Sequence, residues 1–278
     1  MNYQSEASNV ESEAMYIFEL TYPGTLLEHQ DEETAWEIQG MLRSLEDQLT
    51  EAAVALNLFE QTRVRPPKPP FDEETWRKDG ERRRELEEGY LQKAQSSPPQ
   101  WPTWEERQEA RQLADVALKR EKWGTGAWPS EYEHKLSFIY AKAFLHSVDA
   151  ISKLLGVLSK EPRITAEVAK YHQRFKNDFP NLKGVRDSEQ HREDRGRGLD
   201  RNGKPLNLKP INNNMISAPG GGVLALGNLN GNRYGNTMED GSYGEVEVSP
   251  ASLRQAQECI QGIVDELAWR GPKRHYPS

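Results

Sequence analysis

Cysteine is almost missing from this chain. Cys259 is the only one in 278 residues, so neither an internal disulfide nor a cysteine-built zinc site can form. Such scarcity suits a reducing compartment, and the expected location is the cytoplasm. Long apolar runs are missing too. Hydrophobic residues make up 35% of the chain and mean hydropathy is -0.88. No stretch approaches the roughly 20 apolar residues that cross a bilayer. No charged-then-apolar leader opens the sequence, so membrane and secreted classes are set aside. Several catalytic signatures are also absent. There is no GxxxxGKS/T phosphate loop and no HExxH, and the six histidines are scattered without metal spacing. Gly220 to Gly222 precede an apparent strand, the wrong order for a dinucleotide fingerprint, and no nucleophile-elbow motif supports a serine triad. Neither a cofactor nor a metal is expected.

Basic residues are scarce at one end. Residues 1–62 contain 13 acidic side chains and a single basic one, Arg43, whereas the remaining 216 hold 35 basic and 31 acidic. The net charge of -8 argues against a general nucleic-acid coat protein. Residues 181–211 reverse the balance with 8 basic and 5 acidic side chains. That composition fits either a solvated loop or a local anion site within acidic surroundings.

What is present is helical periodicity. Residues 1–14 read as a polar, disordered tail. Met15 to Tyr22 alternates as a short strand ended by Pro23-Gly24. Ile38, Leu42, Leu45, Leu49, Ala52, Leu56 and Phe59 recur at alternating spacings of 4 and 3, one stripe of a helix from about Glu32 to Arg63. The PPKPP stretch stops it. Residues 72–95 are helix-prone but too charged for a core and read as a solvent-facing excursion. The SSPPQWP linker follows, and Thr103 with Glu106 forms a capping box that opens a helix to about Lys122.

A second long stripe, Leu136, Tyr140, Phe144, Val148, Ile151, Leu155 and Leu158, predicts a helix over 130–160. A shorter helix spans about 165–178, and LKGVRDSEQHREDRG continues as helix after Pro180. Residues 222–248 read as a hairpin or small sheet of two strands, GVLALGNL and GEVEV, with turns at Asn230-Gly231 and Asp240-Gly241. Ser249-Pro250 then opens a last helix striped by Leu253, Ala256, Ile260, Ile263 and Leu267. The expected organisation is an N-terminal helical region over 15–128 with the charged, proline-rich excursion. A core over 129–278 follows, with a β insertion at 222–248. A helical bundle buries these stripes most simply.

The chemistry concentrates in Arg186-Asp187-Ser188-Glu189-Gln190-His191. RNA carries its own nucleophile in the 2′-hydroxyl, so cleavage needs no metal-bound water. A histidine exchanges protons near neutral pH, and an arginine fork grips the phosphate and its developing charge. Asp187 and His191, at i and i+4, share a helix face on which the carboxylate could orient the imidazole. Arg186 lies about 140° round the helix from His191 and about 7.5 Å along it. A cleft between two subunits would therefore bring the groups closer than one copy can. The same Arg-x4-His spacing recurs at Arg270 and His275, in a Gly-Pro tail after the last helix, and is set aside as chance.

RDSEQH, its position after two core helices, and the final amphipathic helix behind an insertion resemble the HEPN superfamily of helical-bundle ribonucleases and nucleotide-binding proteins. The likeness is closest to a bacterial branch in which LKGVRDSEQHREDRG is followed by a glycine-rich hairpin such as LGNLNGNRYG and DGSYGEVEVS. It covers roughly residues 130–270. The resemblance implies a mainly α, HEPN-like bundle with a small β insertion before the last helix. It implies a homodimer whose two copies of Arg186 and His191 meet in one cleft, and metal-independent RNA cleavage. It also implies a role as toxin or phage-defence effector, with an antitoxin or another protein as partner. Asp187 fits the polar residue the family places after the arginine. Arg192, Arg195 and Arg197 are the candidate contacts to RNA phosphates. The alternative is a non-catalytic HEPN dimer serving as a nucleotide-binding or protein-interaction module. There Arg186 pairs with Glu189, Glu193 or Asp194, and His191 is a capping or packed residue.

Overall fold

The structure, a computed structural model, describes residues 15–64, 72–94 and 101–278. The expected disordered tail, the PPKPP stretch and most of the SSPPQWP linker lie outside those residues. Among the described residues the order of elements is β1 (Leu20–Tyr22), β2 (Leu26–Leu27), α1 (Glu32–Val64), α2 (Glu73–Ala94), α3 (Trp104–Gly124), α4 (Ser130–Leu158), α5 (Val168–Asp178), α6 (Leu182–Gln190), α7 (Arg192–Arg195), β3 (Ile211–Asn212), β4 (Ser217–Ala218), β5 (Asn228–Asn230), β6 (Arg233–Thr237), β7 (Tyr243–Glu247), α8 (Pro250–Glu266), β8 (Trp269–Arg270) and β9 (Arg274–Tyr276). The fold is mainly helical, with small antiparallel sheets. No described helix is long and apolar enough to cross a membrane.

The chain divides into two compact units, Met1–Thr62 with Ser137–Ser278, and Arg63–Leu136. The long N-terminal helix thus belongs with the later chain, and the excursion is a unit of its own.

In the larger unit, α1, α4 and α8 bury the stripes that their spacing implies. Every member of the α1 stripe is at most 1% exposed. From Phe144 onward the α4 stripe is equally buried, and so are Leu253, Ala256, Ile260 and Ile263 of α8. Val168 and Phe175 of α5 and Leu182 and Val185 of α6 join the same core. At roughly 1.5–3 kcal/mol per fully buried aliphatic side chain, these stripes are the main favourable term in folding. Pro250 and the Ser249–Ser252 capping box start α8, satisfying amides that the helix itself leaves unpaired.

The strands depart from expectation. Of GVLALGNL only Asn228 and Leu229 lie in a strand, β5, and of Met15 to Tyr22 only Leu20–Tyr22, β1. The insertion is a three-stranded sheet in the order β5-β6-β7, and its central strand is Arg-Tyr-Gly-Asn-Thr, a stretch that reads as turn. Asn236 and Thr237 are fully buried there because their side chains take the place of backbone partners. Asn236 Nδ2 donates to the Val185 carbonyl and Asn236 Oδ1 accepts from the Gly227 amide. Gly231, at φ +61°, makes the tight turn between β5 and β6. The tail after α8 is also ordered. β8 pairs with β2 and β9 pairs with β1, both antiparallel. His275 therefore sits on a strand opposite Thr21, half-exposed and 3.7 Å from Glu19.

The smaller unit is a helical hairpin of α2 and α3. Thr103 caps α3 and Glu106 returns the bond, completing the capping box. Ala110, Ala114 and Leu118 are its buried residues on α3. Arg82–Glu121 (2.8 Å), Arg83–Asp115 (2.5 Å) and Lys122–Asp79 pair charges across the seam.

Besides its ladder with β1, β9 is tied to α1 by a nearly buried charge pair. Arg274 reaches the nearly buried carboxylate of Glu46 on α1, and its guanidinium lies 4.3 Å from the ring centre of Tyr22 on β1. Glu46→Ala and Arg274→Ala should each lower stability by about 1–3 kcal/mol in urea unfolding, and the double variant should lose clearly less than the two losses added.

Candidate functional site

Helix α6 is nine residues long, too short to stand alone, and its neighbours fix it from two sides. On the first side is the sheet. Asn236 bonds the Val185 carbonyl, and Asn181 Nδ2 donates to the Glu245 carbonyl at 3.4 Å. Gly184 gives the space that Met238 fills, since a Cβ there would stand 2.4 Å from its sulfur. On the second side is α4. Arg186 Nε lies 2.9 Å from Asp149 Oδ2, and Lys142 Nζ lies 2.7 Å from Glu189 Oε1. The Arg186 Nε–H is not aligned on the carboxylate, so that contact is an ion pair rather than a hydrogen bond.

Glu189 ties the two sides together. Its carboxylate is 7% exposed and accepts from Lys142, from Tyr234 Oη of β6 at 2.5 Å and from Arg192 at 3.2 Å. Burial alone would raise its pKa. The Lys142 and Tyr234 hydrogen bonds and the charges of Lys142 and Arg192 outweigh that and hold it below the usual glutamate range. Burial and the same carboxylate push the Tyr234 phenol well above the usual tyrosine range, so it stays a donor.

Arg186 is largely buried, with 12% of its side chain exposed. Besides Asp149 it meets Asp187 Oδ1 at 2.8 Å and donates to Gln190 Oε1 at 2.5 Å. Its partners are therefore not Glu189, Glu193 or Asp194. Asp187 is turned to Arg186, and no contact among the described residues joins it to the His191 ring. The reason is local. His191 is the C-cap of α6 at φ -105°, ψ 45°, so it has left the helix and the i, i+4 relation with Asp187 is only a backbone bond, His191 N–H to the Asp187 carbonyl. The imidazole is 54% exposed and lies 3.7 Å from Glu193.

The three candidate phosphate contacts separate. Arg192 is half-exposed but held by Glu189, with its guanidinium against Gly227. Arg197 is exposed and paired with Asp194. Arg195 is 1% exposed and donates to the Leu199 carbonyl at 2.6 Å, so it is a structural cation inside the fold and not a contact for RNA. The chain folds over it through Gly198, at φ +72°, and the Leu199–Pro205 bridge, which a count of charges does not reveal.

A groove of about 1020 Å³ lies between α4, α5 and α6, with Arg186 in its wall. Lys153, Lys160, Lys176 and Lys183 surround it, against only Asp149 and Glu161, over an apolar floor of Val157, Phe175, Phe179 and Leu182. Sequence reading misses these lysines because Lys153, Lys176 and Lys183 come from three helices and Lys160 from the turn after α4. The histidine of this groove is His172. Burial and the charges of Lys176 and Lys160 hold it below the usual imidazole range, so it is neutral at pH 7. His191 is not part of the groove lining. The lone thiol takes no part, since burial pushes Cys259 up to about 11. Among the described residues, no three histidine, cysteine or acidic side chains converge as a metal site.

Glu189→Gln should cost about 1–3 kcal/mol of stability at pH 7 by leaving Lys142 and Tyr234 without their anion. Because Glu189 is held below its ordinary 4.5, its contribution is complete above that pH and fades as acid protonates it. The gap between wild type and Glu189→Gln in urea unfolding should therefore narrow below about pH 4.

No protein-family model, no curated protein and no solved structure matches this chain.

Proposed function

We propose that this protein is a metal-independent endoribonuclease of HEPN type, acting as a homodimer. The observation that carries the reading is Arg186, a nearly buried guanidinium held on a clamped helix in the wall of a lysine-rich groove. An RNA backbone laid along Lys153, Lys160, Lys176 and Lys183 would bring a phosphate to that guanidinium. The planar fork then stabilises the extra charge as the 2′-hydroxyl attacks. Proton transfer needs one group to take the 2′-hydroxyl proton and another to protonate the leaving 5′-oxygen. Each copy offers one exposed His191 at the end of α6, and two copies supply both roles. Arg192 and Arg197 would reach flanking phosphates only by leaving Glu189 and Asp194. A toxin or defence role, with an antitoxin as partner, belongs to the same reading.

One observation favours a non-catalytic HEPN module instead. Arg186 already faces two carboxylates, Asp149 and Asp187, so an incoming phosphate must displace one of them.

The test is cleavage of single-stranded RNA in EDTA. Wild type should cut it, leave 2′,3′-cyclic phosphate ends and spare the DNA of the same sequence. Activity should rise and fall with pH, as one group acting as base and another as acid require. Arg186→Lys should lose about a hundredfold or more, because an ammonium keeps the charge but not the fork. His191→Ala should be inactive and His172→Ala active. The reverse pattern would move the acid/base group into the groove and end the composite site. Loss in EDTA restored by magnesium would end the mechanism.

A further inference from the structure

Helix α3 carries two stripes. The inner one, Ala110, Ala114 and Leu118, packs in the hairpin. The second lies about 140° round the helix. It is Glu106, Glu109, Leu113, Val116, Arg120 and Trp123, at spacings of 3, 4, 3, 4 and 3, the repeat of a coiled-coil seam. All six are exposed, including the apolar ones, Leu113 at 44%, Val116 at 39% and Trp123 at 47%. Charged side chains facing α2 are paired, yet neither Glu109 nor Arg120 has a side-chain partner among the described residues.

The order along the stripe is acid, acid, apolar, apolar, base, aromatic. It is complementary to itself when reversed. With a two-fold axis between Ala114 and Asp115, Leu113 of one copy meets Val116 of the other, twice. Glu109 meets Arg120, twice, and Trp123 lies over the Glu106 methylenes while the Glu106 carboxylate stays on the Thr103 amide. A parallel pairing fails the same test, since Glu109 would face Glu109 and Arg120 would face Arg120. A two-helix hairpin with so little buried of its own also needs a partner to cover apolar surface.

We propose that the outer face of α3 is an antiparallel self-association surface whose occupant is α3 of a second copy of this chain. Five turns on each side lie at the small end of specific interfaces, so the pairing is reversible at micromolar concentration. The inference does not rest on the ribonuclease reading, because the stripe lies in Arg63–Leu136 and contains no residue proposed for RNA.

The test uses the full chain and disulfide trapping. In the antiparallel register residue 109 is beside residue 120 of the other copy and about 16 Å along the axis from its own counterpart. A 1:1 mixture of Glu109→Cys and Arg120→Cys should form a mixed disulfide dimer, and neither protein alone should cross-link. Cys259 stays silent because it is fully buried. On a Leu113→Cys and Val116→Cys pair of reporters, E109R or R120E alone should cut the yield about tenfold, and E109R with R120E should restore it to within about threefold. Rescue by the double swap excludes misfolding as the cause. Cross-linking of Glu109→Cys with itself, or a yield blind to the charge swaps, would overturn the proposal. So would a protein that stays unlinked and instead sediments with anionic phospholipid vesicles.

Discussion

The Glu189 carboxylate is the constraint on which the rest of the site depends. It lies on the third turn of a helix too short to persist in water. It is nearly dry, and it stays charged because Lys142 of α4 and Tyr234 of the inserted sheet both donate to it. A buried anion with three donors is costly to rearrange, since any motion of α6 would strand the donors or the acceptor. One turn earlier, Arg186 is held by the same two elements: Asp149 on α4, and the sheet through the Val185 carbonyl. The insertion is thus the second jaw of a clamp that fixes where a guanidinium stands.

The acidic N-terminal stretch gains a structural account from the same unit. Two of its carboxylates face cations from later in the chain. Glu37 meets Arg163 at 2.8 Å, and Glu46 meets Arg274. Glu51 accepts from Ser147 on α4 at 3.3 Å. At these positions the charge imbalance is an attraction across the fold. It adds to the packing of Trp269 and Tyr276 on the core in closing the C-terminal strands over β1 and β2.

Reading the sequence succeeded where one period dominates. The stripes of α1, α4 and α8 are buried because leucine, isoleucine and phenylalanine at 3 and 4 spacing have one way to leave water. The Thr103 and Ser249 starts were legible because capping is local chemistry. What escaped was long-range. Asn236 sits in a buried strand only because Val185 and Gly227 are there to satisfy it, and neither is near in sequence. Arg195 reads as a phosphate contact until the Leu199 turn folds over it. The helical wheel that joined Asp187 to His191 assumed a helix that ends one residue earlier. Arg186 stands out in the sequence by its motif, while the lysines of the groove it lines come from three helices and a turn that no local pattern unites.

The proposed ribonuclease reading requires two copies to share one site, with Arg186 and His191 as its working groups. The most direct measurement mixes wild type with a growing excess of His191→Ala protein, allows subunits to exchange, and follows RNA cleavage in EDTA. A mixed dimer would hold one histidine where the proposed chemistry needs two, so activity should fall as the square of the wild-type fraction. A fall linear in that fraction, as independent subunits would give, would contradict a site built from two subunits.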